Sequence, residues 1–261
     1  MIKGVMNKKV ILISIDGMRP DGLKQCGNEY LKELEKMCSY TYNVRTVYPS
    51  ITLPCHFSMT HSVPPERHGI LTNDYVPQVR PVRGIFENVK DFGGVTAMFY
   101  GWHPLRDIAP AGSLNFANFI QYNMVDGTDN LIADEAIKTI KEYSPDFVFL
   151  YMVETDMQGH KTGWMSKEYL YRINNAINNV KKVIELFKDE YRIIITSDHG
   201  GHERSHGSLM DEDMYVPAFF LGEEFKPNDE LKDVSILDIT PTIAKIMGVK
   251  KEEDWEGKPL F

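Results

Sequence analysis

Short runs of consecutive apolar residues predict the strands of this chain. The runs at 9–15, 146–153 and 193–196 contain no alternating polar positions, which is typical of strands that are buried on both faces of a sheet. Further strands are predicted at residues 43–48, 95–100 and 216–221.

Between these runs, apolar residues recur at intervals of three and four, which predicts amphipathic helices. The predicted helices cover residues 27–38, 84–92, 129–143, 167–187 and 240–248. Pro54 lies two residues after Thr52 and suits the first turn of one more helix, which is predicted to begin near Thr52.

Strands and helices alternate along the chain, as they do where crossover connections join parallel strands. The sequence therefore predicts an α/β fold with a mostly parallel central sheet and helices on both faces, formed by one domain over residues 1–261. Residues 101–128 break the pattern, with Pro104 and Pro110 and no clean periodicity. They are predicted to form a small cap-like excursion that covers a pocket.

Composition excludes several classes of partner. The net charge of −8 predicts a surface that repels nucleic-acid duplexes and anionic membranes. No segment approaches the roughly 18 apolar residues of a membrane span. Cys26, Cys38 and Cys55 are widely spaced and form no CxxC pair, which argues for a reducing compartment and against a disulfide framework. A cytoplasmic protein is expected, and the composition does not indicate an oligomeric state.

Acidic and imidazole side chains follow three of the predicted strands. They are Asp16, then Asp156 and His160, then Asp198, His199 and His206. Ligands of open parallel sheets bind beyond the carboxyl ends of the strands, so we expect the three groups to meet at one edge. Three carboxylates and three imidazoles are too many for one tetrahedral ion and suit two. The alternative is that each aspartate caps a turn and each histidine is an ordinary surface residue.

Two divalent cations at this edge predict the class of substrate. The ions carry four positive charges and the three carboxylates offset three of them, so the pocket keeps a local positive surplus. A phosphate or sulfate ester is expected to dock there although the mean surface of the chain repels anions.

Six motifs occur in a fixed order along the chain. They are residues 14–21, 48–56, 65–73, 154–160, 197–200 and 205–207. Through them the chain resembles the alkaline phosphatase superfamily, and most of all its type I phosphodiesterase/nucleotide pyrophosphatase branch. Residues 238–248 also resemble the C-terminal helix of that family, so the resemblance covers nearly the whole chain. Each motif is weak alone, whereas six in this order are highly specific.

The resemblance implies an alkaline phosphatase-like fold and assigns roles to the candidate residues. One zinc ion is held by Asp16, Thr52, Asp198 and His199, and the other by Asp156, His160 and His206. From the residues alone Thr52 is expected to be a helix N-cap, but the resemblance makes it the nucleophile that forms a phosphothreonine intermediate. Asn73 matches an asparagine that donates to a non-bridging phosphate oxygen. Manganese or iron also suits a set of this many oxygen and nitrogen ligands.

The expected substrate is a small, nucleotide-derived phosphate ester. Trp102 and His103 are predicted to contact it, and Arg106 and Tyr122 are further candidates. One alternative is a phosphomonoesterase or phosphonate hydrolase on the same site, in which Arg106 or Lys161 supplies a cation beside the metals. The other is a non-catalytic binder that keeps the fold. A sulfatase is disfavoured because no Cys-x-Pro-x-Arg motif occurs.

Several residues within the motifs are given structural roles. Cys55 stands where the family pattern has asparagine, and it is expected to be a small buried residue rather than a competing thiol ligand. His202 matches no family ligand and is interpreted as a loop residue. His56, His61 and His68 are expected to make structural hydrogen bonds.

Overall fold

A central sheet of eight strands organises the structure, a computed structural model that describes residues 8–122 and 127–261. Its strands are β1 (Lys9–Ile15), β2 (Ser39–Arg45), β3 (Thr96–Tyr100), β4 (Phe116–Phe119), β5 (Phe147–Met152), β6 (Tyr191–Thr196), β7 (Tyr215–Leu221) and β8 (Asp229–Glu230). They lie in the order β4-β3-β5-β1-β6-β7-β2-β8. β7 runs antiparallel to both of its neighbours, and the other strand pairs are parallel. The predicted mostly parallel sheet is confirmed.

Ten α-helices occur in the described ranges. They are α1 (Pro20–Gln25), α2 (Tyr30–Met37), α3 (Thr52–His61), α4 (Pro65–His68), α5 (Ile85–Asp91), α6 (Thr128–Tyr143), α7 (Glu154–Thr162), α8 (Lys167–Phe187), α9 (Asp211–Met214) and α10 (Ile239–Met247). Two 3-10 helices cover His103–Ile108 and Ile236–Asp238. Within residues 8–122 and 127–261, no helix has both the length and the apolar character needed to cross a membrane.

Alternate residues of β1 face two hydrophobic cores. Val10 and Leu12 belong to a core shared with α3, α5 and α10, whereas Ile11, Ile13 and Ile15 belong to a core shared with α2, α6 and α8. Successive side chains of a strand point to opposite faces, so a strand covered by helices on both sides needs a continuous apolar run. The predicted helices on both faces of the sheet are confirmed.

The short elements α1, α4, α9, β4 and β8 were not predicted, and two further differences concern β2 and α7. β2 covers Ser39–Arg45 rather than residues 43–48, because at Thr46 the chain leaves the sheet and its N–H donates to Met214 O at 2.9 Å. α7 was not predicted, because Glu154–Thr162 has few apolar residues and no apolar stripe of helical spacing. α7 nevertheless carries two of the candidate ligands.

The described part of residues 101–128 contains the 3-10 helix His103–Ile108, β4 and the first residue of α6, joined by irregular segments. β4 pairs in parallel with β3 and forms one edge of the sheet, so this part of the excursion belongs to the central fold. Phe116 of β4 packs on Tyr143 of α6 with ring centroids 4.6 Å apart. Residues 123–126 lie outside the described residues. The cap role of the excursion and the single domain over residues 1–261 stay predictions.

Candidate metal centre

The predicted ligands are delivered by three neighbouring strands. β1 lies between β5 and β6 in the sheet. Asp16 directly follows β1, while Asp198 and His199 follow β6. After β5 the chain enters α7, in which Asp156 and His160 are four residues apart and therefore lie on the same face of the helix. The expectation that the three groups meet at one edge of the sheet agrees with this arrangement.

One group of ligand atoms surrounds His199. Its Nε2 atom lies 3.3 Å from Asp16 Oδ1 and 3.3 Å from Asp198 Oδ2. The three side chains are buried, and their ligand atoms lie within 4.8 Å of one another. A divalent ion bound by a histidine and two carboxylates needs donor atoms grouped in this way.

A second group surrounds Asp156. Its Oδ2 atom lies 3.5 Å from His160 Nε2, and its Oδ1 atom lies 3.7 Å from His206 Nε2. The imidazoles of His199 and His206 are stacked with centroids 3.8 Å apart, so the two groups are adjacent. Asp156, His199 and His206 themselves satisfy the spacing for a shared ion.

Hydrogen bonds to the backbone determine which nitrogen of each histidine faces the centre. Nδ1 of His160 lies 2.9 Å from Arg204 O, and Nδ1 of His206 lies 2.8 Å from Ser50 O. His199 Nδ1 lies 2.8 Å from the carbonyl oxygen of the next residue. A carbonyl only accepts, so each Nδ1 carries the proton and each Nε2 presents its lone pair to the centre.

The carboxylates of the centre fit a cation. Asp16 Oδ1, Asp156 Oδ1 and Asp198 Oδ2 are buried without a hydrogen-bond partner, and an unpaired buried charge is costly. Burial raises the pKa of Asp16 well above its usual value, and the carboxylates of Asp198 and Asp156 raise it further. Burial also raises the pKa of Asp156. Divalent ions held here would compensate these charges, and the oxygen and imidazole donors suit zinc, manganese or iron.

The state of His206 also fits a ligand. Burial, with a contribution from the nearby His199, lowers the pKa of His206 to about 3. The imidazole is therefore neutral at pH 7, which is the form that binds metal.

Thr52 is the first residue of α3 and faces the centre. Its side chain is 4% exposed, and Oγ1 lies 3.1 Å from His199 Nε2. The N-cap position of α3 belongs to Ile51, and no side chain caps this end. The interpretation of Thr52 as an N-cap is therefore wrong. Its hydroxyl sits at the positive end of a helix, where negative charge on oxygen is stabilised.

Residues beneath the centre support these side chains. His56 Nδ1 donates to Thr52 O at 2.8 Å and lies 3.3 Å from Asp198 Oδ2. Its Nε2 atom lies 2.9 Å from the hydroxyl of Ser14. Tyr151 donates its hydroxyl to Asp16 Oδ2, a contact that sequence reasoning missed because Tyr151 occupies an ordinary position in a core strand.

Four other residues have the structural roles expected of them. His61 Nδ1 lies 3.1 Å from Phe57 O, and His68 Nε2 lies 3.1 Å from Ser58 Oγ. His202 Nδ1 donates to Asp213 Oδ1 at 2.8 Å, outside both ligand groups. Cys55 is fully buried and also outside both groups, and burial raises the pKa of its thiol. None of the three cysteines forms a disulfide.

A family model describes most of this chain. The model for type I phosphodiesterase / nucleotide pyrophosphatase matches residues 10–218, a span that includes both ligand groups and Thr52. The chain belongs to this phosphodiesterase family. The recognition made from the six motifs is thereby confirmed.

Two curated relatives are longer than this family member and match it over part of their length. It is 24% identical to bis(5'-adenosyl)-triphosphatase enpp4 of Mus musculus over 95% of its own length and 56% of the relative. It is 27% identical to ectonucleotide pyrophosphatase/phosphodiesterase family member 1 of Homo sapiens over 77% of its own length and 24% of the relative. The chain therefore spans about half or less of these relatives.

Solved structures share the fold of this family member. Murine ectonucleotide pyrophosphatase / phosphodiesterase 5, an inactive variant in complex with AMP, superposes with a TM-score of 0.78 at 15% identity, covering 94% of this chain and 96% of that one. The phosphonate monoester hydrolase of Silicibacter pomeroyi superposes with a TM-score of 0.76 at 14% identity, covering 97% and 76%. The expected alkaline phosphatase-like fold is confirmed.

A cavity of about 130 Å³ opens above the centre. It is lined by Asp16, Thr52, Asn73, Trp102, Tyr151, Val153, Asp156, Met157, His160 and His206. Asn73 Oδ1 accepts from Leu53 N at 3.0 Å, so the Nδ2 end of the amide is the end that can donate a hydrogen bond into the cavity. Trp102 lines the cavity and His103 does not, and the predicted substrate contacts of both residues stay predictions. His103 Nε2 instead accepts from Arg106 Nη1 at 2.6 Å.

Proposed function

We propose that this chain hydrolyses phosphodiester or nucleotide pyrophosphate bonds at a two-metal centre, with Thr52 as the nucleophile. The observation that supports this most strongly is the placement of Thr52 Oγ1. The hydroxyl is buried beside His199 Nε2 at the N-terminus of a helix, within a cluster of carboxylates and imidazoles. A threonine with only a structural role needs neither the adjacent imidazole nor the surrounding carboxylates.

In this proposal the centre holds two zinc ions, and manganese or iron also suits its donors. Asp16, Thr52, Asp198 and His199 would hold one ion, and Asp156, His160 and His206 would hold the other. When bound, the ions lower the pKa of the threonine hydroxyl and stabilise negative charge on the phosphoryl oxygens.

The reaction proceeds in two displacements at phosphorus. The Thr52 hydroxyl gives up its proton to solvent, and its oxygen bonds to phosphorus while the bond to the leaving-group oxygen breaks, which gives phosphothreonine. Water then attacks phosphorus from the side that the leaving group vacated, the bond to Thr52 breaks, and the Thr52 oxygen regains a proton. Asn73 donates its amide N–H to a non-bridging oxygen, because its carbonyl end is held by Leu53 N.

The charge of the cavity supports a diester rather than a monoester. A monoester carries an additional negative charge, which a lysine or arginine beside the metals offsets. The residues that line the cavity in the described part of the chain include neither. Arg106 and Lys161 are exposed and lie outside this lining.

The substrate proposed here is a small phosphate ester derived from a nucleotide. The names of the relatives support this class, since one is a bis(5'-adenosyl)-triphosphatase and one solved neighbour was captured with AMP. The chain carries a net charge of −8, which supports the expectation that duplex nucleic acid and anionic membranes are not partners. Free thiols support a reducing, cytoplasmic location.

A substrate panel on zinc-reconstituted protein tests this function. We expect turnover of bis-p-nitrophenyl phosphate and of a dinucleoside polyphosphate to exceed that of p-nitrophenyl phosphate. A preference for p-nitrophenyl phosphate would favour the phosphomonoesterase alternative, and a preference for a phosphonate monoester would favour the phosphonate hydrolase. If zinc-loaded protein turned over none of these substrates, the result would favour the non-catalytic binder.

A further inference from the structure

Trp164 lies beneath the second ligand group and belongs to neither proposed ligand set. The residue is 7% exposed, and its ring packs against the imidazoles of His160 and His206. The indole Nε1–H donates to Gly17 O at 2.9 Å, in the residue directly after the ligand Asp16. The backbone N–H of Trp164 donates to Glu203 O at 2.7 Å, in the loop between His199 and His206.

Two glycines allow the indole to reach this position. A Cβ atom on Gly159 would lie 2.7 Å from the ring of Trp164, and one on Gly201 would lie 2.2 Å from it. Both distances are shorter than side-chain packing permits. Gly159 directly precedes the ligand His160, and Gly201 lies in the loop that carries His206. The indole thus fills a space that these two segments leave open only because both residues are glycine.

The same ring contacts two of the proposed ligands directly. The imidazole of His160 lies edge-on to it, with centroids 5.1 Å apart and an interplanar angle of 86°. The imidazole of His206 lies 5.9 Å away at 65°. Edge-to-face contacts of this kind restrain ring orientation. Nδ1 of each imidazole is held by a carbonyl, so the indole adds the second restraint that directs Nε2 towards Asp156.

We propose that Trp164 is a positioning residue for the second metal site. It joins the segments that carry Asp16, His160 and His206, and it restrains the two imidazoles before an ion binds. This inference rests on the proposed two-metal function. It adds a residue that acts on metal affinity through the ligands and does not contact substrate.

Trp255 provides a matched control. It is 3% exposed, and its Nε1–H donates to a backbone carbonyl, Arg83 O, at 2.7 Å. It packs in the core on the α3, α5 and α10 side of the sheet and belongs to neither ligand group. Replacing either tryptophan by phenylalanine removes the same N–H and a similar part of a buried ring.

Zinc titration of Trp164→Phe and Trp255→Phe against wild type tests the inference. We expect Trp164→Phe to bind one of two equivalents about 10–100-fold more weakly, the usual cost of losing an outer partner of a metal ligand. Trp255→Phe should bind both equivalents as wild type does. If Trp164→Phe binds two equivalents with wild-type affinity, Trp164 is an ordinary core residue and the inference is wrong. If wild type itself does not bind two equivalents, the proposed function fails and the inference fails with it.

A measurement on the wild-type side chain covers the case in which Trp164→Phe does not fold. The chain has three tryptophans, so Trp102→Phe and Trp255→Phe identify all three indole N–H resonances in a nitrogen-15 spectrum. The Trp164 resonance should shift as zinc fills the second site, and the Trp255 resonance should not. A Trp164 resonance that stays in place through saturation would overturn the inference.

Discussion

At the scale of single residues, the centre depends on which atom of each side chain is already bonded. Backbone carbonyls occupy Nδ1 of His160, His199 and His206, so Nε2 remains for a ligand. Within the described residues of the centre, Asp16 Oδ1, Asp156 Oδ1 and Asp198 Oδ2 are buried without a hydrogen-bond partner. Side chains prepared in this way bind ions without rearrangement, which is the condition for tight binding and for precise placement of a nucleophile.

Replacing Thr52 by alanine should abolish turnover and leave the fold intact. The hydroxyl contacts His199 and caps no helix, so its loss removes the nucleophile and little packing. Members of a catalytic set act as a unit, and we expect a loss of at least about 10³-fold in kcat. Steady-state rates measure the loss of turnover. Thermal unfolding and zinc content show whether the fold and the metal site are kept. Thr52→Ser, which keeps a hydroxyl, is the control, and near-normal rates for Thr52→Ala would remove the assignment.

Replacing His206 by alanine should weaken one metal selectively. His206 faces Asp156 in the second ligand group, so the other ion keeps Asp16, Asp198 and His199. We expect one zinc equivalent to bind at least about 10-fold more weakly, since even outer-shell changes cost that much. His202→Ala is the matched control, because His202 lies in the same loop but bonds Asp213. Equal zinc affinities for both variants would contradict the assignment.

The ligand types were predictable from sequence, and the residues that orient them were not. Asp16 and Asp198 follow apolar strands, so the rule that parallel strands present ligands at their carboxyl ends places them together. The contacts of Tyr151 and Trp164 depend on how side chains pack across distant segments. No local pattern of polar and apolar residues encodes such contacts.

At the scale of elements, the N-termini of α6 and α7 cap each other. Asp129 of α6 accepts from Val153 N at 2.8 Å, and Glu154 of α7 accepts from the N–H groups of Gly127 and Thr128, each at 2.8 Å. Both carboxylates are buried. Reciprocal bonds of this kind satisfy backbone groups that helix starts leave unpaired. They also connect the end of the 101–128 excursion to the helix that carries Asp156.

Replacing Glu154 by alanine should therefore destabilise the fold. The N–H groups of Gly127, the N-cap of α6, and of the buried Thr128 lose their acceptor, and each unsatisfied buried group costs about 1–3 kcal/mol. We expect a loss of about 2 kcal/mol or more in the free energy of unfolding, measured by urea denaturation. Glu154→Gln keeps an acceptor oxygen and should lose less. Unchanged stability in Glu154→Ala would show that the caps are unimportant.

Elements were predictable where burial alone defines them. β1 and α8 have the bounds expected from sequence, since β1 is apolar except at Lys9 and Ser14 and α8 has a clear apolar stripe. The prediction placed β2 at the wrong residues and did not include α7. β2 alternates polar residues beside its antiparallel neighbour β7, and α7 has no apolar stripe and begins at the cap contacts between Glu154 and the start of α6.

At the scale of the whole molecule, the centre is built from segments that are distant in sequence. Metal binding should therefore raise the stability of the entire fold. An ion that binds only the folded state adds about 2.7 kcal/mol at 100 times its Kd. We expect the Tm to fall on chelation and to recover with zinc, but to recover less with magnesium, which prefers octahedral oxygen ligands. A Tm that does not respond to chelator or zinc would contradict a built metal site.

The most direct test of the account is a crystal structure of the zinc-loaded protein with anomalous data at the zinc edge. Two anomalous peaks are expected in the cavity. One should lie among Asp16, Thr52, Asp198 and His199, and the other among Asp156, His160 and His206. Density for the Thr52 oxygen should lie within bonding distance of the first peak. Peaks elsewhere on the molecule, or none in this cavity at saturating zinc, would contradict the account.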